Sequence, residues 1–133
     1  MPAPDLFVPG TLVGPYRLGS PLGRGGMGAV FAADGPGGRV ALKLVASYGA
    51  TSAERERFAR EVDALRTLDH PGIVRLHEVL DDGDDLVLVM PYLPGGNLAQ
   101  RVGDHGPMDP DQVRELAATL LDALASAHRR GVT

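Results

Sequence analysis

The chain has 133 residues, one small domain's worth, and its 44% hydrophobic content is enough to build a core. A net charge of −4 gives no basic patch for nucleic acid, and the absence of cysteine excludes disulfides, thiolate catalysis and cysteine-bound zinc. The four histidines (His70, His77, His105 and His128) show no HExxH or other metal-ligand spacing and read as structural or surface groups, so no metal site is expected. No apolar run approaches the roughly 18 residues of a membrane helix. Met1-Pro2-Ala3-Pro4-Asp5 lacks the charged and apolar regions of a secretory signal. These absences favour the cytoplasm, with a membrane anchor in a longer parent left open.

Residues 1–15 are proline-rich and without periodicity, and read as an irregular leader. Tyr16–Leu22 and Ala29–Ala33 read as two strands joined across a glycine-dense stretch. Asp34-Gly35-Pro36-Gly37-Gly38 is a turn. Arg39–Val45 follows as a third strand, with Lys43 in an otherwise apolar interior.

Thr51-Ser52-Ala53-Glu54 forms a capping box, and the spacing predicts a helix from about Ser52 to Leu68. Phe58, Val62, Leu65 and Leu68 form its apolar stripe, and Glu61 falls on that stripe, between Leu65 and Leu68. Asp69-His70-Pro71-Gly72 stops it. Ile73–Leu80 and Leu86–Tyr92 read as strands four and five, joined by the acidic turn at residues 81–85. That turn has some calcium-loop flavour but lacks the closing glutamate of an EF-hand, so a solvated turn is the reading taken.

Pro94-Gly95-Gly96 ends the fifth strand, and Asn97–Val102 suggests a short helix. Asp109 caps a last helix, with Pro110 at its first position and Gln112 closing the box. Val113, Leu116, Ala117, Leu120, Leu121, Leu124 and Ala127 repeat at helical spacing, and Gly131 ends it. The order is β-β-β-α-β-β and then helical, with a boundary near residues 93–97.

The glycine stretch is Leu22-Gly23-Arg24-Gly25-Gly26-Met27-Gly28-Ala29-Val30. Glycines let the backbone come close to a ligand and aim N–H groups at phosphate oxygens. Three kinds of glycine loop compete. A P-loop fails, because no Lys-Ser/Thr follows at the required spacing. A dinucleotide fingerprint matches the bare GxGxxG pattern, but a strand and turn follow it where a helix is needed. A hairpin folded over a nucleotide predicts a lysine on the next strand and a helical glutamate to pair with it. Lys43 and Glu61 stand at those places. The plain alternatives are an edge-strand lysine reaching outward and a surface glutamate.

With these motifs together, the chain resembles the N-terminal lobe of a protein kinase, most like the bacterial, eukaryotic-like serine/threonine kinases. The matching residues are Leu22-Gly-x-Gly-x-x-Gly-x-Val30, Val40-Ala-Leu-Lys43, Arg60-Glu61, Leu68-Asp-His-Pro-x-Ile-Val74, Gly95-Gly-Asn-Leu98 and Ala127-His128-Arg-Arg-Gly-Val132. The resemblance implies an α+β fold: an N-lobe (16–93) with a five-stranded antiparallel sheet and one main helix, followed by an incomplete all-helical C-lobe (94–133). It implies ATP as ligand, with residues 22–30 covering the phosphates. Lys43 would contact the α/β-phosphates and pair with Glu61. Val30 and Ala41 would pack on adenine, and Met90 matches the gatekeeper. The Pro91 carbonyl and Leu93 N–H match the hinge groups. His128 matches a structural position.

In the family, Gly-Val-Thr leads into the His-Arg-Asp catalytic loop. The catalytic Asp, the Mg²⁺-binding Asn and the Asp-Phe-Gly motif are not among these 133 residues. Mg²⁺ and protein substrates are therefore expectations for a parent kinase. This polypeptide alone is expected to be inactive, and a non-catalytic nucleotide-binding or interaction module is the alternative. The Leu116, Leu120, Leu121 and Leu124 face of the last helix is expected to fold back, self-associate or be poorly ordered.

Overall fold

The computed structural model describes residues 8–25, 28–45, 51–81 and 86–132. Gly26 and Met27 of the glycine stretch, the acidic turn from Asp82 to Asp85, and residues 1–7 of the leader lie outside the described residues. Six strands form one antiparallel sheet: β1 (Leu12–Val13), β2 (Tyr16–Gly25), β3 (Gly28–Gly35), β4 (Gly38–Val45), β5 (Glu78–Asp81) and β6 (Leu86–Pro91). Their spatial order is β1-β2-β3-β4-β6-β5. Among the described residues there are three helices: α1 (Ser52–Arg66), α2 (Leu98–His105) and α3 (Pro110–Arg129). The fold is α+β, as expected.

The sheet has one strand more than expected. Leu12 and Val13, placed in the irregular leader by sequence, pair with Arg17 and Tyr16 across a tight Gly14-Pro15 turn. Two residues are too few for alternation to show. The strand expected at Ile73–Leu80 is also shorter, and is ordered only at Glu78–Asp81. Upstream, the Ile73 N–H donates to the His70 carbonyl, closing a turn, and Leu76 is buried as part of a connector.

Period-two alternation splits the sheet's side chains between two cores. Leu18, Phe31, Ala33, Leu42, Leu44, Val87 and Val89 fill one face with Tyr16. The sheet curls over this core, and the Tyr16 hydroxyl donates to Glu78 Oε2 at 2.8 Å, joining strands far apart in the sheet order. On the other face, Val45, Leu76, Leu86 and Leu88 pack with Val62 of α1, and Phe58, Leu65 and Met90 border them. The apolar stripe of α1 is therefore the one its sequence shows. Thr51 Oγ1 accepts from Glu54 N–H at 3.2 Å and Glu54 Oε2 accepts from Thr51 N–H at 3.1 Å, so the expected capping box is formed.

Both later helices start the same way. Asn97 and Gln100 box α2, which runs three residues past the expected Val102, and Asp109 and Gln112 box α3. At the end of α3, Gly131 N–H donates to the His128 carbonyl and Val132 N–H to the Ala127 carbonyl, both at 3.0 Å. That is the Schellman pattern the terminal glycine suggested. Among the described residues no helix is long and apolar enough to cross a membrane.

Candidate functional site

The glycine stretch is a hairpin. Gly23 pairs with Val30, Arg24 with Ala29 and Gly25 with Gly28, so the strand after the glycines runs straight back along the strand before them. This removes the dinucleotide reading, which needs a helix there. Gly28 has φ of 136°, a backbone state that a side chain would strain, so the return of the hairpin requires glycine. A register irregularity between Pro21 and Gly23 sets Leu22 out of the ladder, where it is exposed.

The register carries the site onto one face. Leu42 and Leu44 point into the curled core, so Ala41, Lys43 and Val45 point to the side where α1 packs. Lys43 pairs with Val30 on β3 and with Leu88 on β6, and Ala41 pairs with Ala32 and Met90. The rows Val30-Lys43-Leu88 and Ala32-Ala41-Met90 thus lie side by side beneath the hairpin. The apolar row lies nearer the chain's exit from the sheet. Lys43 is half-buried between Val30 and Leu88, a cation on an otherwise apolar row.

Past Pro91 the chain leaves the sheet and turns at residues 94–95 into α2. A groove of about 820 Å³ opens there, with Leu22 facing Tyr92, Leu93 and the Pro94-Gly95-Gly96 turn, and the polar side of α2 completing its wall. Leu22 and Leu93, far apart in sequence, therefore meet across one groove. Lys43 is not among the groove's lining residues, and neither are Val30, Ala41, Met90 or Pro91; of the expected site residues Leu22 and Leu93 line it. Pro91 pairs with Val40 and has no N–H, so its carbonyl is the group it offers at this edge.

Glu61 is exposed on α1, and no ion pair within 4 Å links it to Lys43 among the described residues. Val62 is the residue of α1 aimed at the sheet, and Glu61 lies about 100° around the helix from it. Its place between Leu65 and Leu68 on a helical projection therefore did not carry it inside. No group of three or more His, Asp or Glu positioned to hold a metal occurs among the described residues.

Sequence reasoning passed over a contact at the far end of the helical part. His70 Nε2 lies 2.6 Å from Asp122 Oδ2 of α3, and His70 Nδ1 accepts the Gly72 amide at 2.9 Å. A β-carbon on Gly72 would meet Thr119 and Ala123 within 3.2 Å, so this turn sits tightly on α3. The Asp-His-Pro-Gly helix stop was legible, but its docking partner, 52 residues away, was not.

An antiparallel sheet with a glycine hairpin, a lysine-bearing face and a groove at the exit to a helical layer is the architecture of a protein-kinase N-terminal lobe. The protein kinase domain family model matches residues 16–133, and the chain belongs to that family. It is 40% identical over 122 residues to the probable serine/threonine-protein kinase PkwA of Thermomonospora curvata, covering 90% of this chain and 16% of that protein. It is 39% identical to serine/threonine-protein kinase PkaB of Streptomyces coelicolor over 118 residues, 88% of this chain and 28% of the relative. A crystal structure of the Mycobacterium tuberculosis PknI kinase domain superposes with a TM-score of 0.80 at 29% identity, over 94% of this chain and 52% of that one. The chain is thus similar to bacterial, eukaryotic-like serine/threonine kinases. It spans about half the length of the kinase-domain structure and under a third of these two relatives.

Proposed function

We propose that this chain forms the ATP-binding part of a serine/threonine protein kinase whose whole domain transfers the ATP γ-phosphoryl to protein Ser/Thr hydroxyls. The observation that carries the reading is the register of Lys43 with Val30, one row from Ala41 and Met90, beneath a glycine hairpin and beside a groove.

The residues present fit ATP. The backbone N–H groups of residues 23–28 take phosphate oxygens, and Lys43 supplies a positive point charge to the α/β-phosphates. Val30, Ala41 and Leu22 give the adenine an apolar slot closed at the back by Met90. The Pro91 carbonyl and Leu93 N–H hydrogen-bond its edge. Glu61, exposed in this structure, is the carboxylate that would pair with Lys43 when nucleotide is bound, because an ammonium on an apolar row is stabilised by a carboxylate. Mg²⁺ neutralises phosphate charge when bound; its protein ligands in the family are not among these residues.

Residues 1–133 by themselves carry the ATP side of the reaction and not the acceptor side, so alone they do not turn over ATP. MgATP is expected to raise the melting temperature of the purified chain in a concentration-dependent way, with no transfer to a Ser/Thr protein substrate. No thermal shift at saturating MgATP would refute the binding site. Robust transfer, abolished in Lys43→Met, would refute the inactivity.

A further inference from the structure

Arg39 is the second residue of β4, where it pairs with Asp34 of β3, and the next residue, Val40, pairs with Pro91. That register sets Arg39 alongside Tyr92, the first residue past β6. Its guanidinium carbon lies 5.5 Å from the Tyr92 ring centroid, within the range of cation–π attraction. Its Nε donates to Asp34 Oδ1 at 3.4 Å. Asp34, Arg39 and Tyr92 therefore form a polar ladder running from β3 to the connector.

Tyr92 borders the groove, and Leu93 follows it. Residues 92–97 belong to no strand or helix, so the direction of the Leu93 amide is set by what holds this short connector. Two of its residues are glycines. A half-buried aromatic ring stacked on a planar cation, itself braced by a carboxylate, is a hold of that kind.

We propose that Arg39 is a positioning residue for the nucleotide base: by stacking on Tyr92, with Asp34 as its brace, it fixes the connector so that the Pro91 carbonyl and Leu93 amide face the groove. This rests on the reading that the groove takes the adenine of ATP. The phosphate end, at the glycine hairpin and Lys43, lies outside the ladder's reach.

The test is a titration of the full chain and its Arg39→Ala, Arg39→Lys and Tyr92→Leu variants with MgATP, adenosine and tripolyphosphate. Hydrogen exchange of the unliganded proteins is measured alongside. Arg39→Ala and Tyr92→Leu are expected to weaken MgATP and adenosine about two- to fivefold, as befits an exposed cation–π contact, and to leave tripolyphosphate unchanged. Arg39→Lys, which keeps the cation, recovers part of the loss. Amides of residues 92–97 exchange faster in Arg39→Ala, while those of β3 and β4 do not. Equal loss for tripolyphosphate, or unchanged base affinity and connector exchange, overturns the proposal. If the wild-type chain binds none of the three ligands, the ATP reading fails. The exchange data alone then decide whether Arg39 holds the connector.

Discussion

His70 and Asp122 tie the turn after α1 to α3, with 2.6 Å between Nε2 and Oδ2. Because Nδ1 accepts the Gly72 N–H, the neutral ring keeps its proton on Nε2 and donates it to the carboxylate. The link therefore does not require a charged histidine. The hydrogen bond from His70 is the main cause that holds the Asp122 carboxyl below the usual carboxylate range.

A lowered folded-state value means stabilisation that is present above the ordinary carboxylate range and lost as pH falls through the lowered value. Docking of α3 on the 70–72 turn should persist from neutral pH into mild acid and loosen only in strong acid. Asp122→Asn should loosen it at neutral pH. Hydrogen exchange of the middle turns of α3, followed against pH, reads both effects. Unchanged protection of α3 in Asp122→Asn at neutral pH would contradict the link.

Tyr16 is buried, and its hydroxyl donates to Glu78 across the curl of the sheet. That hydrogen bond, with burial and the Glu78 charge adding to it, raises the Tyr16 pKa. The resulting stability is complete below the ordinary tyrosine range and is lost as pH rises through the raised value. Tyr16→Phe should cost about 1 kcal/mol in denaturant unfolding, the usual net worth of such a bond. Absorbance titration at alkaline pH should lose a late-ionising component on going from the wild type to the variant.

The core and the last helix should respond oppositely to truncation. Leu42 is 0% exposed and Leu121 is 66% exposed. Leu42→Ala should lose about 2–5 kcal/mol of unfolding free energy. Leu121→Ser should change it by no more than about 0.5 kcal/mol. Val113, Leu120 and Leu124 are exposed with Leu121, so the same variant should lessen any self-association of the chain in sedimentation.

Gly96 has φ of 75°, and a β-carbon there would run into the Gln100 amide that boxes Asn97. Gly96→Ala should therefore fray the start of α2, at a local cost of about 1–2 kcal/mol. Hydrogen exchange over residues 98–105 should rise while α3 is unaffected. An unchanged α2 would mean that the box does not depend on this turn.

Much of this arrangement was legible in the sequence because it is written in local chemistry. Capping boxes at Thr51 and Asp109, the stripe through Phe58, Val62 and Leu65, and a glycine hairpin followed by Lys43 each sit within one element or one turn. The two-residue β1 was too short to show a period. The shortened β5 reflects a tertiary choice, since His70 to Leu76 spends its backbone on a turn and its side chains on α3 and the core under α1. Glu61 shows the limit of a helical projection: the projection sets it between Leu65 and Leu68, but the sheet contacts the neighbouring Val62 direction and Glu61 is exposed. The Arg39–Tyr92 and His70–Asp122 contacts join residues more than 50 positions apart, and no local pattern announces either.

Lys43 and the glycine hairpin are proposed to form one phosphate site. Calorimetric titration of the purified chain with MgATP, wild type against Lys43→Ala, tests it most directly. Binding to the wild type should be saturable and one-to-one, and about tenfold or more weaker in the variant, with unchanged far-UV circular dichroism. Equal affinity of the two folded proteins for MgATP would contradict it.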